Sequence, residues 1–594
     1  MPHIINIDMM RSQWRHSAMR ILLLTHSFNS LSQRLYVELC ARGHELSVEL
    51  DINDRVTAQA AQAFQPEIIL CPYLKRAIPP SIWTDYVCLI VHPGPPGDRG
   101  PHALDWAILR DVPHWGVTVL QANGSLDAGP IWAFELFRMR SARKSALYRR
   151  EVTEAAVVAV VRSIDRALHR AGALSGTQYA DLSATATGWQ PAVSKSQRTI
   201  NWVTDTAPTI LRKIYSADGS PGVEDIILNE RFRLYDARIA KNVGGPPGAL
   251  IGCTGSSICR ATSDGAILLG QLKPMDRPGY DFKQPALAAL GSLGDRLPRI
   301  EFLPDESAIR SESGEIRYVE RESVGYLHFE FYNGAMSTLQ ARELLLAYRA
   351  ARSRPTRVIA LMGSADFWSN GMHLHCIEAA ESPGQESRDN INAINDLSED
   401  ILLTASHLTI AALQGNAAAG GVFLALSADR VLARSTVVLN PHYRNMGNLY
   451  GSEHWTYLLP GRIGPVQAQE LMNSRLPMGA EGAKALGLVD AIAGPDLHVF
   501  NALVETEARR MASDGFFPLA LHAKLDRRSR DEEIRPLSLY RAGEMDRMEA
   551  NFFGFDPSYH IARHRFVHRA PHSRTPLHLA PHRRLGFVPI DRIE

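Results

Sequence analysis

Apolar residues in the first part of the chain come in short blocks separated by polar or helix-patterned stretches. Ile21–Leu24, Glu45–Leu50, Ile68–Cys71 and Val87–Val91 read as strands, and a loop at Thr25–Ser30 leads into a helical pattern over Leu31–Arg42. Such alternation predicts a parallel sheet with crossover helices. The expected fold class is therefore multidomain α/β, opening with a Rossmann-like domain over 19–178. Ligands of such sheets bind beyond the carboxyl ends of strands, and His92 directly follows one.

The pattern then changes. Residues 179–200 are rich in Ser, Thr and Ala and read as a linker, in which Ser194–Arg198 could contact a ligand or simply be solvated. Short strand-like runs at Phe232–Ala240, Gly248–Gly252, Ser257–Ala261 and Ala266–Leu272, broken by Gly, Pro and Asp-Gly turns, predict a small OB-like β-barrel within 197–303. After a charged boundary at Gly291–Ser313, a second α/β domain is expected over 315–515. Its first elements are a strand at Tyr326–Phe331, a helix at Leu339–Arg352 and a strand at Val358–Met362. The C-terminal extension, 516–594, alternates helical charged stretches with Pro-rich loops and carries no readable motif.

Length and charge narrow the function classes. A chain of 594 residues has room for three or four cores, and 64 Lys plus Arg against 63 Asp plus Glu leave no global field for nucleic acid or an anionic membrane. Phosphate binding must then be local. Cys40, Cys71, Cys88, Cys253, Cys259 and Cys376 form no CxxC, which suits reduced thiols in a cytoplasmic enzyme. No apolar run reaches the ~18 residues of a membrane span. Met1–Ala18 lacks the apolar core of a signal peptide and reads as a frayed extension.

Two segments carry chemistry in the first half. His92 is followed by the stiff loop Pro93–Gly100 and, downstream, by Gly116-Val117-Thr118 and Asp127-Ala128-Gly129-Pro130-Ile131. A histidine leaving a strand beside rigid turns is held where it can act as general acid or base. With this spacing, 19–303 resembles the folate-dependent formyltransferases and formyl hydrolases. The resemblance implies 10-formyltetrahydrofolate as one-carbon donor, His92 as proton acceptor and Asp127 as the group that fixes its imidazole. One position departs from that pattern: an asparagine that holds the formyl oxygen is Ile90 here. Loss of one such donor typically costs ~10² to 10³ in rate, which favours a nucleophilic acceptor such as a thiol.

In the second half, Ser369-Asn370-Gly371-Met372-His373 leaves one strand, and Gly415 with Gly420-Gly421 leads into an apolar helix. Glycines let backbone N–H groups approach a ligand, and a helix start adds partial positive charge. These loops resemble the crotonase superfamily of coenzyme A thioester enzymes, which implies a crotonase-type α/β spiral and an oxyanion hole made by the N–H groups of Met372 and Gly420. Gly371, Gly415 and Gly421 then provide close backbone approach to coenzyme A. The two glutamates of the hydratases are replaced by Phe423 and Tyr443, so water addition is not expected. Tyr443 and Glu453 offer other proton chemistry.

Both halves in this order resemble the HypX (HoxX) family of nickel-iron hydrogenase maturation factors. That resemblance implies formyl transfer from 10-formyltetrahydrofolate to coenzyme A, then decarbonylation of formyl-CoA to carbon monoxide through Tyr443 and Glu453. Other hydrogenase maturation proteins are the partners it suggests. Two rivals remain: a formyltransferase acting on another acceptor, and a non-catalytic scaffold that binds coenzyme A and folate. Arg198 and Arg565 are candidate cofactor ligands, with Arg563 and Arg569 beside the latter, since arginine suits phosphate; such a basic run is equally a solvated face. His560, His564, His568 and His572 recur every four residues, but no carboxylate or cysteine joins them in sequence, and no metal is expected.

Overall fold

The structure, a computed structural model, describes residues 18–178, 188–300, 309–310 and 314–584. The frayed-extension reading of Met1–Ala18, apart from its last residue, and the centre of the linker lie outside the described residues. The chain divides into two compact units: 1–199 with 212–223 and 571–594, and 200–211 with 224–570.

In the first unit, Glu45–Leu50, Arg20–Thr25, Ile68–Tyr73 and Val87–His92 lie side by side in that order and run parallel, as the apolar blocks predict. Ile21, Leu22, Leu23 and Leu24 are all buried, so both sheet faces are covered. Leu22 and Leu24 pack on Ala60, Ala61 and Phe64 of the helix Asp54–Phe64. The sheet is nevertheless mixed. His114–Gln121 and Ile131–Arg138 extend it antiparallel beside Val87–His92. Gly129 makes this reversal possible, because a Cβ there would lie 1.7 Å from the Gln121 carbonyl oxygen.

The far edge of this sheet buries a charge. Glu49, fully buried, accepts hydrogen bonds from His582 at 3.0 Å, Arg583 at 2.7 Å and the Thr575 hydroxyl, and Val48 N–H donates to the Leu579 carbonyl at 2.8 Å. The last described residues thus close the open strand edge.

In the second unit, Leu250–Thr254, Ser257–Ala261, Ala266–Pro274 and Glu230–Ile239 pair antiparallel in that order, and Val223–Ile227 comes next in the same sheet. The remaining part is built as a spiral. Val324–Phe329, Val358–Leu361, Leu408–Leu413, Arg430–Arg434 and Ala491–Ala493 form the parallel part of a large sheet. After three of these strands the chain adds one strand to a second, smaller sheet: Phe367–Ser369, Asn416–Ala418 and Val438–Asn440. Each turn of chain therefore repeats one large-sheet strand and one small-sheet strand. Among the described residues, no helix is long and apolar enough to cross a membrane.

Burial pushes the Glu49 carboxyl up, but its bonds to His582, Arg583 and Thr575 outweigh burial and leave it below its ordinary 4.5. Its stabilising contribution is therefore complete above pH 4.5 and is lost as pH falls through the lower folded value. We expect His582→Ala to cost ~1–3 kcal/mol at pH 7 and less near pH 3, measured by urea unfolding at the two pH values. An equal cost at both pH values would remove Glu49 as the cause.

Candidate functional site

His92 sits at the end of Val87–His92 and is only 4% exposed. Two carboxylates flank it: Nε2 lies 2.9 Å from Asp98 Oδ2, and Nδ1 lies 3.6 Å from Asp127 Oδ1. Asp127, held at φ 51°, also accepts from Gly100 N–H at 3.1 Å. The loop is shaped for this. A Cβ on Gly94 would stand 2.4 Å from Asp98 Oδ2 and 2.5 Å from His92 Nε2, so a side chain at 94 would push the pair apart. Since both ring nitrogens have a carboxylate partner, His92 can take a proton from a nucleophile only when one of these contacts opens.

Ile90 lies two residues earlier on the same strand and packs with the cluster around Ile69 and Cys71. It offers no donor to a formyl oxygen. Arg198 is 5% exposed and forms a buried ion pair with Asp105, which Lys144 also meets at 2.9 Å. It is thus engaged by a carboxylate of its own unit. Arg565 is exposed on the helix Ser558–Val567.

The second constellation follows from the spiral. Phe367–Ser369 pairs in parallel with Asn416–Ala418, so the segments that follow both strands emerge side by side. A Cβ on Gly371 would be 3.4 Å from Gly420 N, and one on Gly421 would be 2.1 Å from the Ser369 carbonyl oxygen. Gly415 packs as tightly, with a Cβ 2.6 Å from the Asp366 backbone carbon. Met336 bridges Met372 through Gly371 O and His373 N, a pattern that leaves the Met372 N–H outside the ladder. Gly420 N–H opens the helix Gly420–Leu426 after Ala419, which is held at φ 49°. Neither N–H meets an acceptor among the described residues, as an oxyanion hole requires.

Glu453 closes the site. A Cβ on Gly420 would lie 1.9 Å from Glu453 Oε1, which places the carboxyl against the Cα of Gly420. Its other oxygen accepts from the Tyr443 hydroxyl at 2.6 Å. Tyr443 stacks on Phe423 with ring centroids 5.2 Å apart. Burial first, and then the Glu544 charge, push the Glu453 carboxyl up to about 8 against the opposing Tyr443 hydrogen bond. Burial and the Glu453 charge push the Tyr443 hydroxyl well above its ordinary value. Glu453 is therefore mostly protonated at neutral pH, with a minor ionised population.

The enoyl-CoA hydratase/isomerase family matches residues 321–540, and the C-terminal domain of formyl transferases matches 192–286. The hydrogenase maturation factor HoxX of Bradyrhizobium diazoefficiens is 49% identical over 95% of this chain and 97% of its own length. The chain belongs to the HypX/HoxX family of hydrogenase maturation factors. Solved structures of HypX from Aquifex aeolicus agree: a variant and a complex with tetrahydrofolic acid each have a TM-score of 0.90 and 43% identity, and cover 96% of this chain and 100% of theirs. The family's fusion of a formyltransferase-like half to a crotonase-like half is thus the architecture of this chain.

Two residues at these sites escape a motif-based reading. Asp98 stands inside the loop that drew attention to His92, and its position six residues after the histidine was the available signal. Glu544 had none. It is 1% exposed and accepts from the backbone N–H of His454 at 3.0 Å and of Thr456 at 2.8 Å, from the Ser452 hydroxyl at 3.1 Å and from the Thr456 hydroxyl at 2.6 Å. These bonds clamp the turn in which Glu453 and His454 hold φ values of 57° and 59°. Burial pushes Glu544 up to about 7 despite those bonds.

A carboxyl raised on folding is most favourable to the fold when protonated, so its contribution declines as pH rises from its unfolded value toward its folded one. For Glu453 that window runs from 4.5 to about 8. The parent should therefore lose stability between pH 5 and pH 8, and Glu453→Gln should lose less, by ~1–3 kcal/mol, in denaturant unfolding at both pH values. Parallel pH profiles for the two proteins would show that Glu453 ionises freely in the fold.

Proposed function

We propose that the chain makes carbon monoxide for hydrogenase maturation in two steps, formyl transfer from 10-formyltetrahydrofolate to coenzyme A and then decarbonylation of formyl-CoA. The observation that carries this reading is the contact of the Glu453 carboxyl with Gly420, which unites an acid-base group and an oxyanion donor at one point. The tetrahydrofolic acid complex of the Aquifex relative supports a folate donor, and the crotonase-type half supports coenzyme A as acceptor.

In the first step His92 takes the thiol proton as sulfur attacks the formyl carbon. One of the two flanking carboxylates, Asp98 or Asp127, releases its ring nitrogen to receive that proton while the other holds the ring. The tetrahedral adduct collapses by breaking its bond to folate nitrogen, which recovers the proton. A thiol is the acceptor best matched to a site with Ile90, because sulfur attacks without the help that water or an amine needs.

In the second step the N–H groups of Met372 and Gly420 polarise the formyl oxygen. The ionised fraction of Glu453 removes the formyl hydrogen, the carbon–sulfur bond breaks, carbon monoxide leaves, and the proton returns to the coenzyme A sulfur. A carboxyl near 8 can both accept and return that proton at neutral pH, and the Tyr443 hydroxyl stabilises its ionised form. The same reading places the protein in the cytoplasm with other maturation proteins as partners.

The two steps separate experimentally. With labelled 10-formyltetrahydrofolate and coenzyme A, His92→Ala should abolish formyl-CoA formation yet release carbon monoxide normally from formyl-CoA supplied directly. Glu453→Gln and Tyr443→Phe should show the reverse, with gas release lowered ~10² to 10⁴-fold. Undiminished release from both of these variants would overturn the second step, and unchanged transfer in His92→Ala would overturn the first.

A further inference from the structure

The histidine ladder of the C-terminal helix meets a carboxylate that the sequence keeps far away. His564 lies on the helix Ser558–Val567 and His568 caps it, with ring centroids 4.1 Å apart. Glu378, on the short helix Leu374–Ala379, reaches both: its Oε1 is 2.7 Å from His564 Nδ1 and 3.4 Å from His568 Nε2. One ligand atom from each of the three residues falls within 4.8 Å of the others. His560 stays outside the cluster, its ring nitrogens bound to the Phe552 carbonyl at 2.8 Å and to Arg563 at 2.8 Å.

We propose that Glu378, His564 and His568 form a binding site for a divalent transition cation of the zinc type. Bond lengths near ~2.0–2.2 Å to imidazole nitrogen and carboxylate oxygen put tetrahedral ligand atoms roughly 3.3 Å apart. The Glu378–His568 separation already has that value, and His564 need withdraw by about half an ångström. Two surroundings orient the set. Arg563 Nε donates to the other Glu378 oxygen at 2.7 Å, which turns Oε1 toward the histidines. Asp281 Oδ1 lies 3.6 Å from His568 Nδ1, beyond hydrogen-bond distance but on the side opposite the site, where a carboxylate favours a proton on Nδ1 and leaves Nε2 to the cation.

Two imidazoles with one carboxylate suit zinc, cobalt or nickel and disfavour magnesium or calcium, which prefer all-oxygen cages. His564 is 60% exposed at its side chain, so the fourth position opens to solvent and can take water or an anionic ligand. The inference does not rest on the formyl chemistry.

Untagged full-length protein, stripped with a chelator, should take up one equivalent of zinc in competition with a chromophoric chelator. His564→Ala, His568→Ala and Glu378→Gln should each weaken it at least ~10-fold, and His560→Ala should stay within roughly twofold. Glu378→Gln retains an oxygen for Arg563, and circular dichroism on every variant checks that the fold persists. Cobalt in place of zinc should give visible bands that vanish in the His564→Ala, His568→Ala double variant, and excess magnesium should displace neither ion. No zinc uptake by the parent, or uptake that survives loss of both histidines, overturns the proposal.

Discussion

The second site depends on a missing methyl group. At Gly420 a Cβ would occupy the space of the Glu453 carboxyl, so glycine there admits an acid beside the residue whose N–H is the proposed oxyanion donor. The consequences spread outward. Buried at this position, Glu453 is pushed up to about 8, which makes it able to carry and return a proton. Its turn has left-handed backbone at two successive residues that are not glycine, a costly geometry that persists only where surrounding contacts fix it. Glu544 supplies those contacts through two backbone N–H groups and two hydroxyls.

The first site shows the complementary solution. Its acid-base group is histidine, and two carboxylates constrain it from opposite nitrogens within a loop that glycine makes compact. The missing formyl-oxygen donor at Ile90 and the two-carboxylate grip on His92 belong together in the proposed reaction. Polarisation of the formyl group is weak there, so rate must come from the nucleophile and from removal of its proton. A thiol satisfies both demands better than an amine.

The C-terminal extension looked inert as sequence, yet several of its residues act on the elements described above. Glu544 secures the Glu453 turn, His564 and His568 meet Glu378, and Thr575, His582 and Arg583 neutralise Glu49 at a sheet edge. These are single polar side chains placed by packing. Apart from the four-residue spacing of the histidines, they follow no local rule, and that spacing by itself names no partner.

What the sequence determined by itself is what short-range physics encodes. Apolar blocks marked the parallel strands, the strand end marked His92, and glycine pairs marked the loops of Met372 and Gly420, because backbone approach to a ligand demands glycine locally. Tyr443 and Glu453 came from the resemblance alone, as candidates for other proton chemistry, and the full-length relative establishes membership of that family. Tertiary structure alone decided the antiparallel strands added to the first sheet, the pairing of Asp98 as well as Asp127 with His92, the internal ion pair that engages Arg198, and the meeting of Glu378 with the histidine ladder. It also decided Glu544, ninety residues along the chain from the His454 amide that it holds. Proton affinity at Glu453 depends on burial and on that distant charge, and neither is a property of the residues beside it in sequence.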